Sequence, residues 1–395
     1  MTNPPSNNGL PSAAREAVES WFRENFVSRG ELGAAVSIWR NGAEVLSLAQ
    51  GFTSRERTAP WTAETLVPIW SSTKGPAAVA CLMALHEAGL PLDAPVAEVW
   101  PEFFLGGKDH TTFGELLSHR GGLCALSERV PIFDYMAVIK ALEQQIPLWP
   151  VGTTQAYHAR TFGFLLDEIV RRITGADTLG HYFDELFGRP LALDLWIGLP
   201  EKEHHRVARV YPGKMNISTA DQAFLKAFHI PGSVTQRTFS SPVGLNAVGD
   251  FNQPHTWAQG YASMGGVASA TGLAGFYAML ANGGKYQGEQ IVPHWVLNAL
   301  SDPLSQSEED AVLCVPAAFS AGMMKDPVDA ETGSKTRRMF GPSTAAFGHP
   351  GAGGSLAFAD PASGIAFVYV MNQMEVGVLP STRATGLIDA LFSRL

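Results

Sequence analysis

The pattern of apolar residues predicts a mixed α/β protein of the α+β type: an antiparallel sheet flanked by helices, with a mainly helical domain inserted into it. Three observations carry this expectation. A helical stretch and a strand pair open the chain, and a strand pair and a helix close it. The long middle alternates helical segments with loops rich in Gly, Pro and His. Ends of this kind build one sheet from both termini and leave the middle as an insertion.

Residues 1–12 (MTNPPSNNGLPS) are polar and proline-rich and read as a flexible leader, without the charged and then apolar run of a secretory signal. From Ala13 to Val27, Ala17, Val18, Trp21, Phe22 and Phe26 recur at helical spacing. Segments 34–40 and 43–50 read as strands around Asn41-Gly42, a hairpin dipeptide suited to two successive positive-φ positions. Helices are expected over 76–88, 112–117, 133–144, 161–173, 179–187 and 273–282, separated by long loops at 188–200 and 239–266. Segments 355–359 and 365–371 form a second hairpin around Asp360-Pro361-Ala362-Ser363-Gly364, and a helix over 381–395 ends the chain. The expected organisation is a discontinuous sheet domain (13–82 and 264–395), an inserted helical domain (83–263), and an active-site cleft between them.

Composition narrows the function. A chain of 395 residues, 46% hydrophobic and 16% charged, buries a large core and has the scale of an enzyme. A formal charge of -9 without basic tracts argues against nucleic acid or an anionic membrane as partner, and no apolar run approaches a membrane span. A small neutral substrate and a cytoplasmic setting are expected. Cys81, Cys124 and Cys314 lie far apart and read as reduced thiols. No His-Glu-x-x-His or Cys/His cluster is present, so neither a metal nor another cofactor is expected.

The chemistry centres on Ser71-Ser72-Thr73-Lys74, where a helix begins. Residues i and i+3 share a helix face, so the Lys74 side chain can reach the Ser71 hydroxyl and take its proton. Ala78, Cys81, Leu82 and Leu85 mark a buried stripe on that helix. Burial lowers the pKa of an ammonium and makes a neutral lysine base available. A second candidate is Tyr157 in Pro150-Val151-Gly152-Thr153-Thr154-Gln155-Ala156-Tyr157-His158-Ala159, on a loop constrained by Pro-x-Gly. A third is Gly348-His349-Pro350-Gly351-Ala352-Gly353-Gly354, ahead of the last hairpin, where glycines admit a close backbone approach. Gly353-Gly354-Ser355-Leu356-Ala357 only imitates a nucleophile elbow, since it precedes a strand rather than a helix.

These elements, together with Leu116-Leu117-Ser118-His119-Arg120-Gly121-Gly122-Leu123, resemble the serine β-lactamase and penicillin-binding-protein superfamily. The likeness is greatest to its class C branch and, within it, to the family VIII carboxylesterases. The resemblance spans nearly the whole chain. It implies a class C β-lactamase-like fold, Ser71 as acyl-accepting nucleophile, Lys74 as its activating partner and Tyr157 as general base and acid. Backbone N–H groups of Ser71 and Ala352 would form the oxyanion hole, and His349-Pro350-Gly351 would stand where β-lactamases carry Lys-Thr-Gly. An ammonium at Lys74 would favour phenolate at Tyr157, so that the two share a proton. Tyr157-His158-Ala159 lacks the asparagine of the β-lactamase Tyr-x-Asn, and His349-Pro350 lacks the ammonium and hydroxyl that hold a substrate carboxylate. The resemblance with these departures implies a serine carboxylesterase for short or medium acyl esters with at most weak β-lactamase activity. Trp70, Ile132, Phe133, Trp149, Trp257, His349 and Gly351 are candidate substrate contacts, His349 alternatively a structural histidine. An amidase or acyltransferase on the same fold, and a non-catalytic ligand-binding protein, remain alternatives.

Overall fold

The computed structural model describes residues 9–213, 222–380 and 382–395, so the first eight residues of the expected leader lie outside the described residues. The first helix, Ser12–Val27, leads into β1 (Gly33–Arg40) and β2 (Ala43–Gly51). Their turn has Asn41 at φ 51° and Gly42 at φ 80°, the two left-handed positions that the dipeptide predicts.

One eight-stranded sheet organises the protein. Numbering its remaining strands in chain order gives β3 (Ser305–Ser307), β4 (Ala317–Phe319), β5 (Met324–Lys325), β6 (Phe347–Pro350), β7 (Leu356–Asp360) and β8 (Ile365–Met371), in the spatial order β2-β1-β8-β7-β6-β5-β4-β3. Every pairing is antiparallel. The two terminal hairpins meet at the centre, with Ala34 opposite Met371 and Arg40 opposite Ile365. All residues of β7 and β8 are buried, because helices cover both faces there. Helix Ala270–Ala281 packs across β1, β7 and β8, and helices Ser12–Val27 and Thr382–Phe392 pack on each other.

The sheet is wider than the two hairpins predict. Strands β3, β4 and β5 are two or three residues long, too short to display a period of two in sequence. Helices Gln222–His229, Val234–Ser240 and His294–Ser301 also fall where no helix was expected. Segment 179–187 divides into helix Leu179–Phe183 and a wider turn Asp184–Gly188. Ser71 precedes its helix instead of opening it: it lies in a tight turn, Trp70–Thr73, and the helix runs Lys74–Glu87. That helix is buried at every position from Lys74 to Leu85, packed on helices Thr161–Thr174 and His294–Ser301, so the expected stripe is part of an apolar surface running all round. A small sheet of Val67–Pro68, Val267–Ala268 and Leu195–Trp196 braces the approach to this turn. No helix among the described residues is long and apolar enough to cross a membrane.

Candidate active site

The turn carrying Ser71 is locked before the helix starts. Trp70 adopts φ 51°, a left-handed conformation that costs a non-glycine residue roughly 1–2 kcal/mol. The surroundings hold it there: Thr73 Oγ1 donates to Trp70 O at 2.5 Å, Gly266 N–H donates to Thr73 Oγ1 at 2.9 Å, and Ile69 N–H donates to Gly266 O at 3.0 Å. The Trp70 ring lies 4.0 Å from that of Phe251. The resulting kink leaves Ser71 partly accessible while Ser72, Thr73 and Lys74 are buried.

Lys74 is fully buried, and its Nζ donates to Ala159 O and Ser263 O, both at 2.9 Å, with Ser71 Oγ 3.4 Å away. Desolvation drives its pKa well below that of a free lysine. In the amine form the two N–H bonds go to the two carbonyls, and the lone pair is left for the Ser71 hydroxyl. Tyr157 is 3% exposed, and its hydroxyl interacts with Ser71. Its pKa is raised, chiefly by desolvation and further by the charge of Asp310, while the Ser71 interaction opposes the rise. Burial thus favours amine and phenol, the reverse of the ammonium and phenolate expected from the resemblance. The physical reason is that no opposite charge among the described residues offsets the desolvation of either group.

Asp310 is a part of this site that sequence reading missed. Its Oδ1 accepts the Tyr157 N–H at 3.1 Å, Val312 N–H at 2.9 Å and Leu313 N–H at 3.0 Å, and Oδ2 accepts Gln155 Nε2 at 3.3 Å. The contact joins residues 153 apart in the chain, where no local spacing can signal it. On the other side, His119 and Phe319 pack on Tyr157, with ring centroids 5.0 and 6.2 Å away. His158 donates its N–H to His119 Nδ1 at 3.1 Å, and its own ring bridges Ala156 O (2.7 Å) and Leu123 N–H (3.0 Å). Burial pushes the His158 pKa down to about 4, so both histidines serve as neutral braces for the tyrosine loop.

Strand β6 closes the site from the sheet. Ser72 Oγ donates to His349 O at 3.0 Å, and Ser355 Oγ donates to Ile69 O at 3.1 Å. Ser355, the false elbow, is therefore a buried brace. Gly351 permits the approach: a Cβ there would stand 2.4 Å from Ile69 O. The backbone N–H groups of Ser71 and Ala352 both lack a protein acceptor among the described residues, whereas Gly351 donates to Ser355 O at 2.7 Å. Two free N–H groups on facing segments are what an oxyanion needs.

The candidate substrate contacts separate. His349 is 1% exposed, its Nδ1 is 2.7 Å from Pro350 O, and its ring lies 5.9 Å from Tyr157. Burial, then the nearby Lys74, pushes its pKa down to about 3. It is thus a buried neutral ring beside Tyr157, and its Nε2 has no hydrogen-bond partner among the described residues. Trp257 likewise sits in a small separate core with Leu66, Leu199 and Val267, its indole N–H donating to Phe251 O at 2.6 Å. Ile132 is fully buried, Phe133 is 56% exposed, and Trp149 packs at the edge of the core. No group of three His, Cys, Asp or Glu residues among the described residues is placed to hold a metal ion.

A serine hydroxyl, a lysine and a tyrosine held together between an antiparallel sheet and a buried helix suit a serine hydrolase of β-lactamase fold. The chain matches the Beta-lactamase family over residues 18–391, and it belongs to that family. It is 29% identical over 358 residues to Esterase/beta-lactamase LipL of Mycobacterium tuberculosis, covering 89% of this chain and 80% of that one. A crystal structure of a family VIII carboxylesterase superimposes with a TM-score of 0.85 at 30% identity, covering 98% of this chain and 99% of that one. A penicillin-binding-protein homologue from Caulobacter crescentus gives 0.83 at 33% identity, with the same coverage. The class, a hydrolase of the esterase and β-lactamase type, is thereby shown.

Proposed function

We propose that this hydrolase is a carboxylesterase that cleaves neutral esters of short or medium acyl chains through an acyl-enzyme on Ser71. The observation that carries the reading is the placement of Lys74 Nζ between two carbonyl acceptors and the Ser71 hydroxyl. As an amine it takes the Ser71 proton while Ser71 Oγ attacks the ester carbonyl. The oxygen that becomes negative lies against the Ser71 and Ala352 N–H groups. Tyr157, beside Ser71 and Lys74, hands a proton to the departing alkoxide and recovers it through Lys74, and water then repeats the sequence on the acyl-enzyme.

The preference for neutral esters rests on what the site omits. Ala159 offers no side-chain amide, and His349, buried with a pKa near 3, carries no positive charge at neutral pH with which to hold a carboxylate. β-Lactams should therefore acylate slowly. The test replaces Ser71 by Ala and, separately, Ser355 by Ala, and measures p-nitrophenyl butanoate hydrolysis. Ser71→Ala should lose several orders of magnitude in kcat, as removal of a serine nucleophile does. Retained activity there, with loss in Ser355→Ala, would overturn the assignment. A kcat/KM for a cephalosporin equal to that for the butanoate would replace the esterase reading with a lactamase.

A further inference from the structure

Beside the Lys74 end of the site lies a cavity of about 340 Å³ with Ile132, Met136, Phe164, Ala262 and Ser263 in its wall. Ser263, which forms part of the cavity wall, ties it to the nucleophile through Lys74. With Nζ 3.4 Å from Ser71 Oγ and 2.9 Å from Ser263 O, those two oxygens are at most 3.4 plus 2.9, or about 6.3 Å, apart. The charged groups on the wall have protein partners. Asp167 Oδ1 accepts Leu179 N–H at 2.6 Å, Tyr135 Oη donates to Glu168 Oε2 at 2.8 Å, and the Arg171 guanidinium lies 4.6 Å over the Tyr135 ring. What remains for a ligand is mostly apolar surface, and the buried Tyr261 hydroxyl has no hydrogen-bond partner among the described residues.

We infer that this cavity holds the acyl chain of a medium-length aliphatic ester, an assignment that rests on Ser71 being the nucleophile. The acyl group stays attached through both half-reactions, whereas water must replace the alcohol, which calls for an open side. A cavity that shares Ser263 with the Lys74–Ser71 pair suits the group that stays. Its volume is at the small end of ligand pockets, so it also sets an upper length.

The experiment measures kcat/KM for p-nitrophenyl acetate, butanoate, octanoate and dodecanoate, and for acetates of lengthening alcohols, in wild type and two variants. Met136→Trp narrows the cavity at its exposed mouth, where Met136 is 68% exposed, and Phe164→Ala enlarges it. The octanoate-to-acetate ratio should fall about tenfold or more in Met136→Trp, and the optimum should move to longer chains in Phe164→Ala. The alcohol series should keep its order. Binding of free octanoate to Ser71→Ala protein, measured by calorimetry, should weaken about tenfold on adding Met136→Trp. That arm reads the cavity without turnover, so its failure counts against the cavity, whereas activity surviving in Ser71→Ala counts against the nucleophile. An acyl profile and octanoate affinity unmoved by Met136→Trp, or an alcohol profile that moves instead, would overturn the inference. Met136 lies on the surface, so the test stands even where Phe164→Ala fails to fold.

Discussion

If Lys74 is an amine in the folded protein, replacing it with Met changes stability in a pH-dependent way. Lys74 is fully buried, with its pKa depressed by desolvation, whereas in the unfolded chain it titrates near 10.4. Between the depressed folded value and about 10.4, the unfolded state holds one more proton than the native state. Native stability from this group therefore rises with pH across that window, at about 1.4 kcal/mol per unit, and is flat below and above it. Lys74→Met removes the term and leaves Ala159 O and Ser263 O without their donor, a cost of about 1–3 kcal/mol each that does not depend on pH. The wild-type minus variant difference should thus climb by about 2.7 kcal/mol over two pH units within the window. Urea unfolding of both proteins at pH 7, 8 and 9, with ΔG taken from linear extrapolation, measures it. A difference independent of pH over that range would mean that Lys74 stays protonated in the native protein, and the lone-pair mechanism would fail with it.

Lys74 and Tyr157 are expected to act as one proton-transfer unit, so the losses in log kcat/KM for Lys74→Ala and Tyr157→Phe should exceed, when summed, the loss in the double variant; full additivity would separate them. Asp310→Ala strips the acceptor from three backbone N–H groups and from Gln155, one of them the Tyr157 amide, and should cost several kcal/mol in urea unfolding and lower kcat more than it raises KM. An unchanged kcat in folded protein would remove Asp310 from any role in placing the tyrosine. His349→Lys puts an ammonium into a buried position beside Lys74 with no counter-ion there among the described residues, so it should lower the thermal midpoint and leave the ratio of cephalosporin to ester hydrolysis unchanged. A gain for the carboxylate-bearing substrate would show that position 349 reaches the cleft.

How far this protein could be read from its residues depended on the range of the interaction concerned. Asn41-Gly42 names its own turn, since positive φ at two successive positions is a property of those residues. Ser71 and Lys74 are three apart, and a helical turn puts residues i and i+3 on one face. The family and its fold were legible because three such local signals occur in a fixed order along the chain. Tertiary structure decided everything that local spacing does not encode. Helix Lys74–Glu87 is apolar on every side because it is enclosed on every side, and no period could have revealed that. Strands β3, β4 and β5 are set by pairing with a neighbour already in place, and their two or three residues carry little preference of their own. The carbonyls of Ala159 and Ser263 that receive the Lys74 protons belong to backbone groups that every residue possesses, so no side chain announces them. Asp310 and Tyr157 meet across 153 residues, and His349 is a buried neutral ring because of what packs over it. Burial is a property of the whole fold, and in this site burial sets the charge of the lysine, the tyrosine and the histidines.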